Sequence, residues 1–468
     1  MAIAVFIVSL ALLLMLVILS LYLRKVRINR QKETDEMEEE DIRLIKISSI
    51  QQLVFTALAV DVLAILISIY LIVKGTLWEG HLMEWLNISV RLMHITFGIA
   101  WIGASFYFVF LENALNRSRD VRDELAGNLW AIHGGGFYYL EKYKVAPQKI
   151  PKHLHWFKYE AYFTWVTGIC MLFIVYYFNA SATMVSADVL KISGGTAVGI
   201  ALGSFVIAWF LYDLLCKSPL AKKPVLFAIV GLLLLAAFAY GYHKVFVGKA
   251  AFMHFGAMLG TIMAANVFMV IIPSQKAMVK SARQGKMPDA KIGKNAGRRS
   301  LHNNYFTLPV LFVMISNHFP VTFGNAHAWI VLMIITLGTM GVKHYLNITE
   351  QGRLSVWVLP ASIIVLLAAV FITAPPKTAG LCDDKVDIVQ VYAIVQNRCI
   401  TCHSTKPTDK FYTTPPNGVV YDAPGDIIKV KDKILQRVVL TKSMPLNNQT
   451  GMTDAERDII RCWIEQSP

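Results

Sequence analysis

Runs of about 20 residues with almost no charge follow one another along this chain, and a helix of that length spans the hydrocarbon core of a bilayer. Backbone inside lipid must satisfy its own hydrogen bonds, so such runs become helices of a bundle. They lie at 2–23, 52–74, 89–112, 159–178, 195–216, 224–243, 250–273, 303–320, 325–345 and 354–373, which predicts ten spans. Composition agrees: of 468 residues 55% are hydrophobic and 16% charged, against about 25% charged in soluble domains. A simple soluble enzyme and a disordered chain are both excluded. The expected fold class is all-α, a polytopic helical membrane bundle followed by a small helical domain. The first run, Ala2 to Leu23, lacks a basic leader and a small-residue cleavage pattern, so it reads as an uncleaved anchor. With the charged stretch behind it, Arg24 to Lys46, it makes up a region 1–50, ahead of a membrane domain at 51–373.

Orientation follows from the basic residues. If the first helix starts outside, the segments 24–46, 117–158, 217–223 and 276–299, with Lys343 and Arg353, face inward and hold 28 Lys and Arg. The outward segments hold five, namely Lys74, Arg91, Lys191, Lys244 and Lys249. Cytoplasmic loops concentrate Lys and Arg, so this asymmetry sets the register and puts both termini outside. The net charge of +14 is then a topology signal facing anionic lipid, and no nucleic-acid partner is expected.

From Ala374 the chain turns polar, predicting a linker at 374–385 and a domain at 386–468. Cys399-Ile400-Thr401-Cys402-His403 is the covalent c-haem attachment sequence, in which two thiols bind the haem vinyl groups and the histidine can ligate iron. The segment resembles class I cytochromes c in its order: a helix from Val386 to Asn397, the CxxCH string, loops, a methionine, and a last helix opened by Thr453-Asp454-Ala455-Glu456. Met444, followed by Pro445, and Met452 compete for the sixth iron position. The Met-Pro context favours Met444, and Met452, just before the helix cap, suits core packing. A His403/Met444 pair makes an electron carrier. Cys382 and Cys462 flank this domain, either as a disulfide or as two inert thiols.

Three strings in the bundle resemble one family. They are Arg91-Leu92-Met93-His94 leading into Ile99 to Phe108; Trp130 to Tyr138, with His133-Gly134-Gly135-Gly136, continuing through Lys142 to Lys158; and Leu301-His302-Asn303-Asn304-Tyr305 through His318. The resemblance is to the bacterial membrane-bound urate oxidases, or urate hydroxylases, whose membrane domain precedes a cytochrome c, and it covers most of 85–374. It implies that urate and water give 5-hydroxyisourate, with electrons leaving through the haem to a cytochrome c oxidase or a soluble cytochrome c. It also implies the bacterial inner membrane, with the cytochrome domain on the periplasmic side.

A planar anion needs bidentate donors, a stacking aromatic and a base. Toward the outer face stand His94, His254, His318 and His327, with Arg91 three residues before His94 on one helical face. Four imidazoles at one depth can hold a b-type haem or supply base and binding groups; they can also be scattered interface residues. His94 and His254 are the preferred catalytic candidates, and counting from residues 89 and 250 puts both about 7–8 Å below the outer boundary. The inner face offers His133, His155, His302, Asn303, Asn304 and Arg299. His133 is the runner-up, because its three glycines can form an anion nest, or merely a turn. Asp61 and Asp213 are further candidates, for function or for hydrogen-bonded structure. A quinol-to-cytochrome subunit and a transporter with a redox-sensing tail are the rival readings. No dinucleotide fingerprint follows a strand, so neither flavin nor nicotinamide is expected.

Overall fold

The computed structural model describes residues 71–467 apart from 119, 152–153, 354, 375–381, 383–384, 410–411 and 413, with isolated positions between 57 and 69. The expected anchor and charged linker lie outside the described residues, as does most of the span at 52–74. The chain divides into two compact units, Met1–Leu86 and Asn87–Pro468. In the first, Trp78, His81 and Trp85 pack edge to face along one helix. Asp61 is buried there, and its Oδ2 has no hydrogen-bond partner among the described residues.

Eight apolar or half-apolar helices follow: α1 Leu77–Asn113, α2 Tyr159–Leu172, α3 Gly194–Lys217, α4 Pro224–Val245, α5 Gly248–Ala265, α6 Ala290–Ser316, α7 Ala328–Glu350 and α8 Val358–Ile372. Among the described residues, six helical stretches are long and apolar enough to cross a membrane: Trp78–Asn113, Tyr159–Tyr177, Gly194–Lys217, Pro224–Val245, Gly248–Arg283 and Ala328–Glu350. The ten expected spans are not all of this kind. The expected span at 303–320 is the apolar end of α6, whose first half carries Lys291, Lys294, Arg298 and Arg299. That at 354–373 is the 15-residue α8. Helix α1 begins at Leu77, not at 89, so the depth of His94 cannot be counted from the start of its helix.

Helix α5 is the centre of the second unit, with Ala250, Ala251, Phe252, Phe255, Met258 and Leu259 nearly inaccessible. Apolar lipid supplies no hydrophobic drive between helices, so close packing through small residues holds them together. A Cβ on Gly256 would overlap Val313 of α6, and one on Gly341 of α7 would overlap Ser362 of α8. Leu214, Phe210 and Val206 of α3 and Phe371 and Ile364 of α8 instead point outward, as lipid-facing side chains do. Two helices change pitch: α2 ends in a π-helical turn, Phe173–Tyr177, and α5 continues through another, Asn266–Ile271, into the helix Ile272–Arg283.

The all-α expectation fails in one place. Leu125–His133 (β1) and Gly136–Tyr143 (β2) form an antiparallel hairpin. Gly134 and Gly135 make its two-residue turn at φ of +57° and +79°, a left-handed pair that glycine adopts without Cβ strain.

The end of the chain is a small helical unit with its own core. Helix α9, Ile388–Arg398, opens with an Asp387/Gln390 capping box, and α10, Asp454–Gln466, with the Thr453/Glu456 box. Val391 and Val395 of α9 meet Ile460, Trp463 and Ile464 of α10 in that core. Cys382 and Cys462 form a disulfide, with Cα atoms 5.4 Å apart, which settles the alternative left open above. The unit packs on the loops between bundle helices. Asn447 Nδ2 donates to the Ala182 carbonyl, Gln449 reaches the same oxygen, and the Thr441 carbonyl lies against Gly324 with no room for a Cβ.

Candidate functional site

One cavity of about 130 Å³ runs between α1, α2, α5 and α6. Arg91, Tyr176, Asn317 and Met253 line one end, and Trp101, Ile102, Met263 and Thr307 the other. His94 lies on its wall. The Nδ1 of His94 is 3.0 Å from the Thr164 carbonyl and 3.1 Å from Thr167 Oγ1. A carbonyl only accepts, so Nδ1 carries the proton and Nε2 keeps its lone pair. Among the described residues no group bonds that Nε2. Gly168 makes room for the ring, because a Cβ there would sit 3.0 Å from Cε1. Trp101, Trp165 and Tyr176 supply aromatic faces; Trp165 Nε1 donates to Thr261 Oγ1 at 3.2 Å.

The other three outer histidines do not join His94. His254 is fully buried, its Nδ1 bonded at 2.7 Å to the Ala250 carbonyl and its ring walled by Tyr176, Tyr177, Phe205, Tyr242 and Phe246. Among the described residues its Nε2 has no partner. It is absent from the cavity lining, although its neighbour Met253 is part of it. His318 and His327 are exposed in the turn between α6 and α7. Among the described residues no three metal-ligating side chains converge. The set of four at one depth is therefore corrected to one cavity histidine, one caged histidine and two exposed ones.

The inner candidates also separate. His133 is exposed where the hairpin turns, so its glycines are explained as a turn, and His155 stacks edge-on against Phe157. Arg299, Asp213, His302 and Asn303 do meet, in a dense network around the second π-helical turn. Arg299 Nη2 pairs with Asp213 Oδ1 at 2.5 Å and its Nη1 donates to Asn266 Oδ1 at 3.2 Å. Asn266 donates to Tyr212 and Asn303, and Tyr212 also meets His302 Nδ1 at 2.8 Å. Asn304 donates to Asn347 at 2.9 Å. Asn266 went unnoticed in an apolar run, yet it joins three of these groups.

In the C-terminal unit, His403 Nδ1 lies 3.0 Å from the Val419 carbonyl, to which it donates, so Nε2 keeps its lone pair. Cys399 and Cys402 are free thiols, and burial pushes them up to about 12 and about 11. Met444 and Cys399 border the same core, in which Met452 is buried beside Ile460 and Trp463. Arg457, which the sequence reading passed over, pins the Met444 loop by donating to the Met444 carbonyl at 2.8 Å and to that of Val438. Two unpaired thiols, an oriented imidazole and a thioether are the donor set that a covalent haem takes. The residues fit that group.

Fold and cavity together define a helical bundle whose long apolar helices fit a membrane protein and whose cavity is lined by a histidine and an arginine among mostly apolar side chains. The sequence profile of the family described as urate oxidase N-terminal matches residues 80–374, and the chain belongs to that family. Membership associates it with urate oxidation, as an oxidoreductase. Neither a curated protein nor a solved structure matches the chain.

Proposed function

We propose that the protein oxidises urate with water to 5-hydroxyisourate, and that the electrons leave through a covalent haem held by Cys399, Cys402, His403 and Met444. Urate gains a hydroxyl from water at C5 and gives up two electrons and two protons. The acceptor is a cytochrome c or a cytochrome c oxidase on the outer side of a bacterial inner membrane.

The observation that carries this reading is His94, held as the Nδ1–H tautomer by Thr164 on the wall of a cavity that also contains Arg91. Arg91 offers a fork of donors to the urate anion. Trp101, Trp165 and Tyr176 can stack on its plane. The free Nε2 of His94 takes the proton that water or the purine loses, and the bond from Nδ1 to Thr164 steadies the resulting imidazolium. A haem held by Cys399, Cys402, His403 and Met444 would supply one-electron transfer. Position supports the same reading: the C-terminal unit packs at Ala182 and Gly324, in the loops beside the Arg91 end of the cavity. A substrate at the opposite face would have to send electrons across about 30 Å of hydrocarbon.

The test is anaerobic. Urate should reduce the haem without dioxygen, and the new oxygen in the product should come from labelled water. Label arriving from dioxygen would overturn the reading.

A further inference from the structure

In the β1–β2 hairpin Trp130 stands opposite Tyr139 and Ile132 opposite Phe137. Strand side chains alternate between faces and directly opposed residues share one, so these four stand together on a single face. Each is between 46% and 78% exposed. The face is graded along its length. Ile132 and Phe137 lie nearest the turn. Trp130 and Tyr139 follow, each with one polar atom on an apolar ring, their ring centroids 4.7 Å apart. Toward the root, Asn128 Nδ2 donates to the Tyr139 hydroxyl at 3.0 Å, and Arg122 pairs with Glu141 at 2.6 Å. The opposite face carries the half-buried Leu129, Ala131 and Leu140, and ends near the turn in Tyr138 and the exposed His133.

The root of the hairpin is fastened to the end of a helix long and apolar enough to cross a membrane. Glu112, in the last turn of α1, pairs with Lys142 of β2 and, at 3.4 Å, with Arg117. The backbones of Asn116 and Asn128 bond each other reciprocally at 2.8 and 3.1 Å. The next helix of spanning length, α2, starts at Tyr159. From Asn128 the strand reaches only about 20 Å to the turn, so with α1 and α2 in a membrane the hairpin stays at its surface. Residues 117–158 hold eight Lys and Arg against four acids. Arg122 takes up Glu124 and Glu141, whereas Lys144 and Lys149 are exposed and form no ion pair among the described residues.

We propose that the hairpin is an interfacial anchor: the face made by Trp130, Ile132, Phe137 and Tyr139 lies in the headgroup region of a leaflet rich in anionic lipid, and Lys144 and Lys149 meet lipid phosphate. Trp and Tyr collect at that depth because the ring is apolar while its N–H or O–H stays wet. A two-stranded hairpin is marginal in water by itself, and covering an apolar face is what stabilises it. Basic side chains draw such a face onto anionic lipid with a pull that salt weakens. A second copy of the chain is the other conceivable cover, but protein interfaces are depleted of Lys at their centre, and this hairpin joins two spans with an excess of base. The anchor does not depend on which substrate the bundle oxidises.

The experiment places the full chain in nanodiscs of phosphatidylglycerol mixed with phosphatidylcholine, or of phosphatidylcholine alone. Phe137→Cys and Tyr138→Cys, each combined with Cys170→Ser to remove an exposed free thiol, carry a nitroxide label, and the signal of Cys170→Ser alone is subtracted. Dissolved oxygen collects in lipid and a charged nickel chelate stays in water, so relaxation by the two reports depth. In the anionic discs the label at 137 should favour oxygen several-fold more than the label at 138 does. Lys144→Gln with Lys149→Gln, or high salt, should lower that preference to its value in phosphatidylcholine, and Lys144→Arg with Lys149→Arg should keep it. Equal access at 137 and 138 in the anionic discs overturns the proposal, and so does a preference that ignores lipid charge. A label at 137 shielded from both reagents, in particles that hold two chains, overturns it as well and assigns the face to a second copy. Should the cysteine variants fail to fold, brominated phosphatidylglycerol serves instead: it should quench fluorescence in the parent that Trp130→Phe lacks, and no such difference rejects the anchor.

Discussion

The two polar regions of the bundle differ in what surrounds their charges. At the network around Asn266, Arg299 is 1% exposed and has Asp213, Asn266 and the rings of Tyr212 and Trp209 around it. At the cavity, among the described residues, Arg91 bonds only Asn87, and His94 keeps one nitrogen unbonded beside empty volume. Buried polarity that is already spent on neighbours holds helices in register, whereas polarity left facing a void is free to meet a ligand.

The sharpest way to break that contrast is to remove one histidine from each region. His94→Gln should lower urate-dependent haem reduction by about 10²–10⁴-fold, the range lost with a general base. His302→Gln should leave it within a few-fold, and the reverse result would exchange the roles of the two regions. Arg299→Met tests the structural half. It leaves Asp213, whose side chain is 16% exposed, with only Lys217 as an ion-pair partner among the described residues. Breaking a fully buried pair costs about 3–5 kcal/mol; with Lys217 still beside a partly exposed Asp213 the loss is smaller, and it should show as a lower thermal midpoint in detergent with unchanged KM for urate.

Gly168→Ala sharpens the comparison further. Its added methyl meets His94 Cε1 at 3.0 Å, so the ring must shift and the Thr164 bond weaken. Turnover should fall roughly tenfold, less than a lost base costs because the imidazole remains. KM should change little.

The smallest effect is expected in the C-terminal unit, where the Asp422 carboxyl is held below the usual carboxylate range by hydrogen bonds from the backbone and side chain of Thr405 and from Ser404. A depressed carboxylate contributes stability that is present above its unfolded value near pH 4 and disappears as pH falls through the folded value. Thermal unfolding followed between pH 6 and pH 3 should therefore show a shallower acid limb in Asp422→Asn.

Much of this architecture was legible because charge is so scarce in the spanning runs, and because Cys399, Cys402 and His403 carry their spacing openly. The hairpin was missed although its signal was present. Two runs rich in Trp, Tyr, Phe and Ile flank Gly134-Gly135, a pattern that reads as strands as readily as it reads as a turn. The start of α1 was hidden because Glu79, His81 and Glu84 lower hydropathy without opposing helix formation.

The disulfide between Cys382 and Cys462 fastens the last helix to the point where the chain leaves the bundle. Only residues 374–381 lie between Thr373, which caps α8, and Cys382, so the C-terminal unit is leashed within about 30 Å even if its contacts open. A leash that short holds the C-terminal unit at about millimolar effective concentration beside the bundle. Few contacts are then needed to seat it, as the small set at Ala182 and Gly324 illustrates. On the proposed reading, each bundle keeps a dedicated electron acceptor, and delivery to it is a first-order event whose rate does not depend on how many copies share the membrane.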